Sequence, residues 1–93
     1  MIYVDDYEGK FGRMVMCHMI SDTSLDELHE FAARLGLKRE WFQNDGRTPH
    51  YDVCKQKRER AIVLGATSLP IANRKEWLRI ISRARGLKAT AET

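Results

Sequence analysis

The apolar positions change period several times along the chain, and each change marks an element. Residues 2–4 form a short β-prone run. In residues 13–20, Met14, Met16, His18 and Ile20 alternate with Val15, Cys17 and Met19, so both sides of this strand are largely apolar. That is the pattern of a central strand covered on two faces. Between the two runs, residues 7–12 read as a loop bent at Gly9 and Gly12. At residue 24 the period becomes helical. Ser24 and Glu27 form a capping box, Leu25, Leu28, Phe31, Ala32 and Leu35 make a buried stripe, and Gly36 fits the left-handed position after the last turn.

Residues 38–49 lose all period. Trp41 and Phe42 are expected to anchor this segment in the core, and residues 43–49 carry turn chemistry, so the segment is expected to form the mobile rim of whatever site exists. Asp52 is placed to cap a second helix that runs to Leu64 with Cys54, Arg58, Ala61 and Ile62 along one side. Residues 66–71 form a short strand, with Pro70 favouring its edge or end. Asn73 and Glu76 start a third helix whose apolar face is Trp77, Leu78, Ile81 and Ala84, ending near Gly86.

The order strand, strand, helix, loop, helix, strand, helix gives an α/β fold: a small single-layer sheet of about three strands packed by three helices. It occupies residues 1–88 as a single domain, with 89–93 as a frayed tail. The connection between the first two strands is short for a parallel crossover, which leaves open a hairpin or two strands separated by another. At 93 residues the chain holds one compact core, to which homo-oligomerisation would add stability.

Composition narrows the classes. Hydrophobic residues at 43% and charged ones at 31% belong to a globular domain. No apolar run approaches the ~20 residues of a membrane span, and the first residues lack a secretory pattern, so a cytoplasmic protein without a membrane partner is expected. Cys17 and Cys54 are too far apart for a C-x-x-C motif and read as reduced thiols. The net charge of +3 is modest for a nucleic-acid binder, but it is concentrated in residues 74–88, where Arg74, Lys75, Arg79, Arg83, Arg85 and Lys88 face one acid, Glu76.

The candidate chemistry lies at element ends. His18 and Asp22 flank the entry to the first helix, and His50 and Asp52 the entry to the second. Ends of this kind gather on one edge of an α/β sheet, where these four would serve as the catalytic centre. Two imidazoles and two carboxylates can hold a divalent metal or share acid and base work; equally, each can be a satisfied histidine or a helix cap. Asp5, closing the first strand, and Arg13, Tyr51 and Arg58 complete a ligand-binding set, the arginines meeting negative charge. In a hairpin, Asp5 and Asp6 would instead pair with Arg13. His29 reads as partly buried structure. No dinucleotide fingerprint, P-loop, H-E-x-x-H or G-x-S-x-G is present.

The motifs Tyr3-Val4-Asp5-Asp6, Gly12-Arg13, His18 with Asp22, Leu28-His29, Phe31-Ala32, Gly36-Leu37, Phe42, His50-Tyr51-Asp52 and Gly65-Ala66 follow one another in an order that resembles a family of short bacterial and phage proteins known only as a domain of unknown function. The resemblance implies a small α/β protein and brings no activity with it. The family more usually carries Ser before the His, where this chain has Cys17.

Two functional readings follow. The first is binding or hydrolysis of a phosphate-bearing small molecule such as a nucleotide, with a divalent metal as the candidate cofactor. The alternative is a non-enzymatic accessory protein that binds nucleic acid or a protein partner through the basic third helix.

Overall fold

A computed structural model describes residues 1–44 and 48–87, apart from the side chain of Phe11. The elements are β1 (Ile2–Asp5), β2 (Gly9–Phe11), β3 (Met14–Ser21), α1 (Leu25–Arg34), β4 (Tyr51–Cys54), α2 (Lys55–Val63), β5 (Thr67–Leu69) and α3 (Arg74–Gly86), with a 3-10 turn at Arg39–Trp41. The α/β class holds, but the sheet has five strands rather than about three. Among the described residues no helix is long and apolar enough to cross a membrane.

β3 is the centre of the sheet. Met19 faces Val4 of β1 and Tyr51 of β4, and Met16 faces Gly9 of β2 and Cys54 of β4; all three partners run antiparallel to β3. A strand has two edges, so β4 lies along one and β1 and β2 share the other. Val4 faces Met19 and Gly9 faces Met16. The four residues from Asp5 to Glu8 therefore stand opposite only Cys17 and His18, a bulge with two extra residues. β5 adds to β1 in parallel, with Asp5 beside Leu69.

Alternation along β3 divides the core in two, as expected of a strand covered on both faces. Cys17 and Met19 join Val4, Tyr51 and Val53 under Leu28, Phe31 and Ala32 of α1 and Ala61 of α2. On the other face, Tyr3, Ile20 and Leu69 meet Ile80, Ile81 and Ala84 of α3. Burial of these side chains, at roughly 25 cal/mol per Å² of apolar area, is the main force holding the layers together.

α1 forms as expected. The Ser24 oxygen accepts from the Glu27 backbone N–H at 3.0 Å, and Gly36 takes φ +87°. The Glu27 carboxylate does not return to Ser24; it accepts from Ser21 Oγ at 2.5 Å.

Several expectations need correction. β2 lies inside the expected loop, where pairing with β3 outweighs its turn-like composition. Residues 51–54 form a strand because β3 offers a free edge, where a helix was expected to start after Asp52; α2 therefore starts at Lys55 with Cys54 as its N-cap, and Asp52 caps nothing. In α3 Ile81 and Ala84 are buried as expected, but Ile80 joins them in place of Leu78, which is 48% exposed, and Asn73 makes no side-chain capping bond. Ile62 is likewise exposed. Trp41 is not a core anchor: it is 49% exposed, with the Lys38 ammonium over its ring at 5.7 Å. Phe42 does pack on the core, edge-on to His29. The tip of the expected mobile rim (45–47) and the expected tail fall outside the described residues.

Candidate functional site

The site starts from the bulge. Asp5 is buried at the end of β1 and stands where β1 leaves its regular pairing with β3. Its side chain replaces the missing ladder. Oδ1 accepts from the backbone N–H of His18 at 2.8 Å and of Tyr7 at 3.2 Å, while Oδ2 meets His18 Nδ1 at 2.8 Å. A buried carboxylate is tolerable only when satisfied in this way. The Asp5 carbonyl accepts from Arg58 Nε at 2.6 Å.

His18 belongs to the face of β3 that looks toward α3. Tyr7 stacks on its ring at 4.8 Å. The hydrogen bond to Asp5 raises the His18 pKa above its ordinary value, against the opposing effect of burial, and the charges of Asp5 and Asp52 add to the rise.

β4 brings the other two groups. Asp52 lies opposite His18 in the β3–β4 register. His50 immediately precedes the strand, and its backbone pairs with Gln43 in both directions, at 2.9 and 3.0 Å. His50 Nε2 lies 3.4 Å and His18 Nε2 4.0 Å from Asp52 Oδ1, and the rings of His18 and His50 meet edge to face at 5.0 Å. One donor atom from each of His18, His50 and Asp52 lies within 4.8 Å of the others. Three donors about 2.1 Å from one tetrahedral ion stand about 3.4 Å apart, so small ring rotations would close this set on a cation.

Each of the three is oriented from behind. His50 Nδ1 lies 2.8 Å from the Thr48 carbonyl, which can only accept, so Nδ1 carries the proton of that bond and Nε2 is turned toward Asp52. The Asp5 carboxylate does the same for His18. Gln43 Nε2 donates to Asp52 Oδ2 at 2.7 Å and leaves Oδ1 for the histidines. Ligand histidines of metal sites are fixed in this way, with Nδ1–H on a carboxylate or carbonyl.

A cleft of about 280 Å³ runs from this cluster along the underside of α3. Its polar end has Asp5, His18, His50, Thr48 and Arg85; its other walls are Ile20, Leu69, Trp77 and Ile81. Arg85 follows Ile81 by one turn and so lies at the margin of the buried stripe of α3. Its Nε donates to Thr48 Oγ1 at 2.9 Å.

Of the expected catalytic residues, His18, His50 and Asp52 converge, and Asp22 does not. Asp22 follows the far end of β3, where it accepts from the Met1 amine at 3.0 Å, from Thr23 Oγ1 at 2.9 Å and from Tyr3 Oη at 3.4 Å. Burial works to raise its pKa, but the amine and Thr23 bonds prevail and lower it. Of the expected ligand-binding set, Asp5 stands directly behind His18. Tyr51 points into the opposite core, its hydroxyl on His29 Nδ1 at 2.8 Å. Arg13 is exposed at the β2–β3 turn. Arg58 is engaged by the Asp5 carbonyl and, at 2.9 Å, by Ser68 Oγ. Gln43 and Thr48 belong to the segment expected to rim the site, without roles of their own; Trp77 and Arg85 were expected on the third helix but not beside these histidines, and the spacing of Arg85 from Ile81 was the one available signal.

No curated protein and no solved structure matches the chain significantly. A match to the family described as protein of unknown function DUF4031 spans residues 2–84. That span takes in every residue of the His–His–Asp cluster and the strands that hold it, and the chain belongs to this DUF4031 family.

Proposed function

We propose that this protein binds a divalent metal ion through His18, His50 and Asp52 and uses it to bind and hydrolyse a phosphate-bearing small molecule in the cleft beneath α3. The observation that carries this reading is the convergence of two Nε2 atoms and one carboxylate oxygen within 4.8 Å, with both Nδ1 atoms already held by acceptors. Two imidazoles and one carboxylate suit zinc, manganese, iron or cobalt better than magnesium or calcium, which prefer all-oxygen sites.

An ion held by three protein ligands keeps open positions for water and a phosphoryl oxygen. Asp5 and the Thr48 carbonyl orient the two rings, and Gln43 fixes the carboxylate, so little reorganisation remains when charge develops on the phosphoryl and leaving oxygens. In the hydrolysis a water oxygen forms the new P–O bond and the ester P–O bond breaks. The proton lost by the water balances the one gained by the leaving oxygen. The basic helix supports the nucleic-acid alternative less well, since Arg79 is already paired with Glu76 and Arg83 lies 3.9 Å from Asp22.

Calorimetric titration of metal-stripped protein with zinc, manganese and cobalt, alongside His50→Ala, tests the site. Tight binding by wild type that is lost in the variant is expected, together with release of phosphate from p-nitrophenyl phosphate by the metal-loaded protein. Absence of binding for all three ions removes the reading, and binding without phosphate release removes its hydrolytic half.

A further inference from the structure

We infer that Arg85 and Trp77 select the substrate, and that it is a phosphate monoester carrying an aromatic ring, of which a nucleoside 5′-monophosphate is the natural type. This rests on the metal site proposed above. The cleft that starts at His18 and His50 has two unlike regions. One is polar and close to the cluster, with Arg85 as its cation and the Asp5 carboxylate engaged by His18; the other is apolar and bounded by an indole.

Thr48 links the guanidinium to the metal ligands. Its carbonyl holds His50 Nδ1 at 2.8 Å, and its hydroxyl accepts from Arg85 Nε at 2.9 Å. One residue thus sets both a ligand ring and the cation beside it. Among the described residues the terminal nitrogens of Arg85 have no other hydrogen bond or ion pair, which leaves its planar fork free for the two-oxygen contact that guanidinium makes with phosphate. A phosphoryl group would span the ion and Arg85. Arg13 and Arg58, the cations expected from sequence, cannot share this task, since one is at a remote turn and the other is already engaged.

The remainder of the cleft suits a flat ring. Ile20, Leu69 and Ile81 supply apolar walls, and Trp77 supplies an aromatic one. The indole Nε1 of Trp77 is buried and has no hydrogen-bond partner among the described residues. A donor buried this deeply is closed to the cleft, so what Trp77 offers a substrate is the apolar wall of its ring, on which a flat aromatic ring packs better than an aliphatic group. A single guanidinium and a single ion also match one phosphoryl group better than a di- or triphosphate chain.

The test is calorimetry on zinc-loaded protein with adenosine 5′-monophosphate, adenosine and inorganic phosphate, run beside the zinc titration itself. The nucleotide should bind at least about tenfold more tightly than either fragment. Arg85→Gln should lower nucleotide affinity roughly tenfold, as loss of a charge-assisted contact does, and leave adenosine unchanged. Trp77→Leu keeps apolar bulk in the wall and removes the aromatic ring; it should weaken the nucleotide and not inorganic phosphate. Both variants should bind zinc as wild type does. Nucleotide binding no tighter than phosphate, or unaffected by both substitutions, overturns the inference while the metal site stands. Failure of wild type to bind zinc overturns the metal reading instead.

Discussion

The Asp5 carboxylate holds His18 twice, taking its backbone N–H and its ring Nδ1, each at 2.8 Å. One side chain therefore fixes both where the ring starts from and which tautomer it adopts.

A pH dependence follows from that pair. The folded His18 pKa lies above the ordinary 6.5 because of the Asp5 hydrogen bond. The stability contributed by this pair is then complete below about pH 6.5 and is lost as pH rises through the folded value. Affinity for the metal ion proposed above should run the other way, since a proton on Nε2 competes with the ion and departs over the same interval. Titration of the His18 ring by NMR checks this, and Asp5→Asn should lower its midpoint. A wild-type ring that titrates at or below 6.5 contradicts the assignment.

The residues behind the ligands should matter in proportion to how much they fix. Gln43→Ala frees Asp52 Oδ2 and should weaken metal binding roughly tenfold, in the range found for outer-shell partners. Asp52→Ala removes the proposed ligand itself and should cost far more. Equal effects from the two substitutions would show that Gln43 does more than orient.

Trp41, in the 3-10 turn, and Tyr51, in β4, should respond in opposite ways to expectations from size. Trp41→Ala should change stability by no more than about 1 kcal/mol, since Trp41 is 49% exposed. Tyr51→Phe deletes one oxygen and should cost about 1 to 2 kcal/mol, because the hydroxyl is buried against His29. Urea denaturation of the two variants gives the comparison, and a larger loss for Trp41→Ala would contradict the packing.

Ser24→Ala should lower stability by about 1 kcal/mol through loss of the bond to the Glu27 N–H. The same midpoint measurement checks it, and Ser24→Asp, which restores an acceptor, should recover most of the difference.

What could be read from the sequence divides along the reach of the forces involved. α1 is legible because its cap, stripe and terminal glycine all lie within 13 residues of one another. β4 is not legible. Tyr51 to Cys54 pass without a break into α2, and only the unfilled edge of β3, more than 30 residues earlier, makes them a strand. The site shows the same division. His18, His50 and Asp52 could be nominated by residue type and position, but choosing Asp5 over Asp22 as the partner of His18 depends on the β1–β3 register. Arg85 and Trp77 join the site only because α3 crosses the sheet face that carries His18.

The bulge between β1 and β2 has an even excess. Two extra residues return the chain to the face it left, so β1 and β2 both keep their alternation against β3 on either side of His18. The parity protects the core and the site together. Removal of one residue from 6–8 would force a second irregularity on the backbone or turn one strand over, whereas removal of two would leave a regular ladder. That shortened hairpin should fold well. It would, however, return the His18 N–H to a backbone carbonyl and release the Asp5 side chain, giving up the site in exchange for a simpler strand.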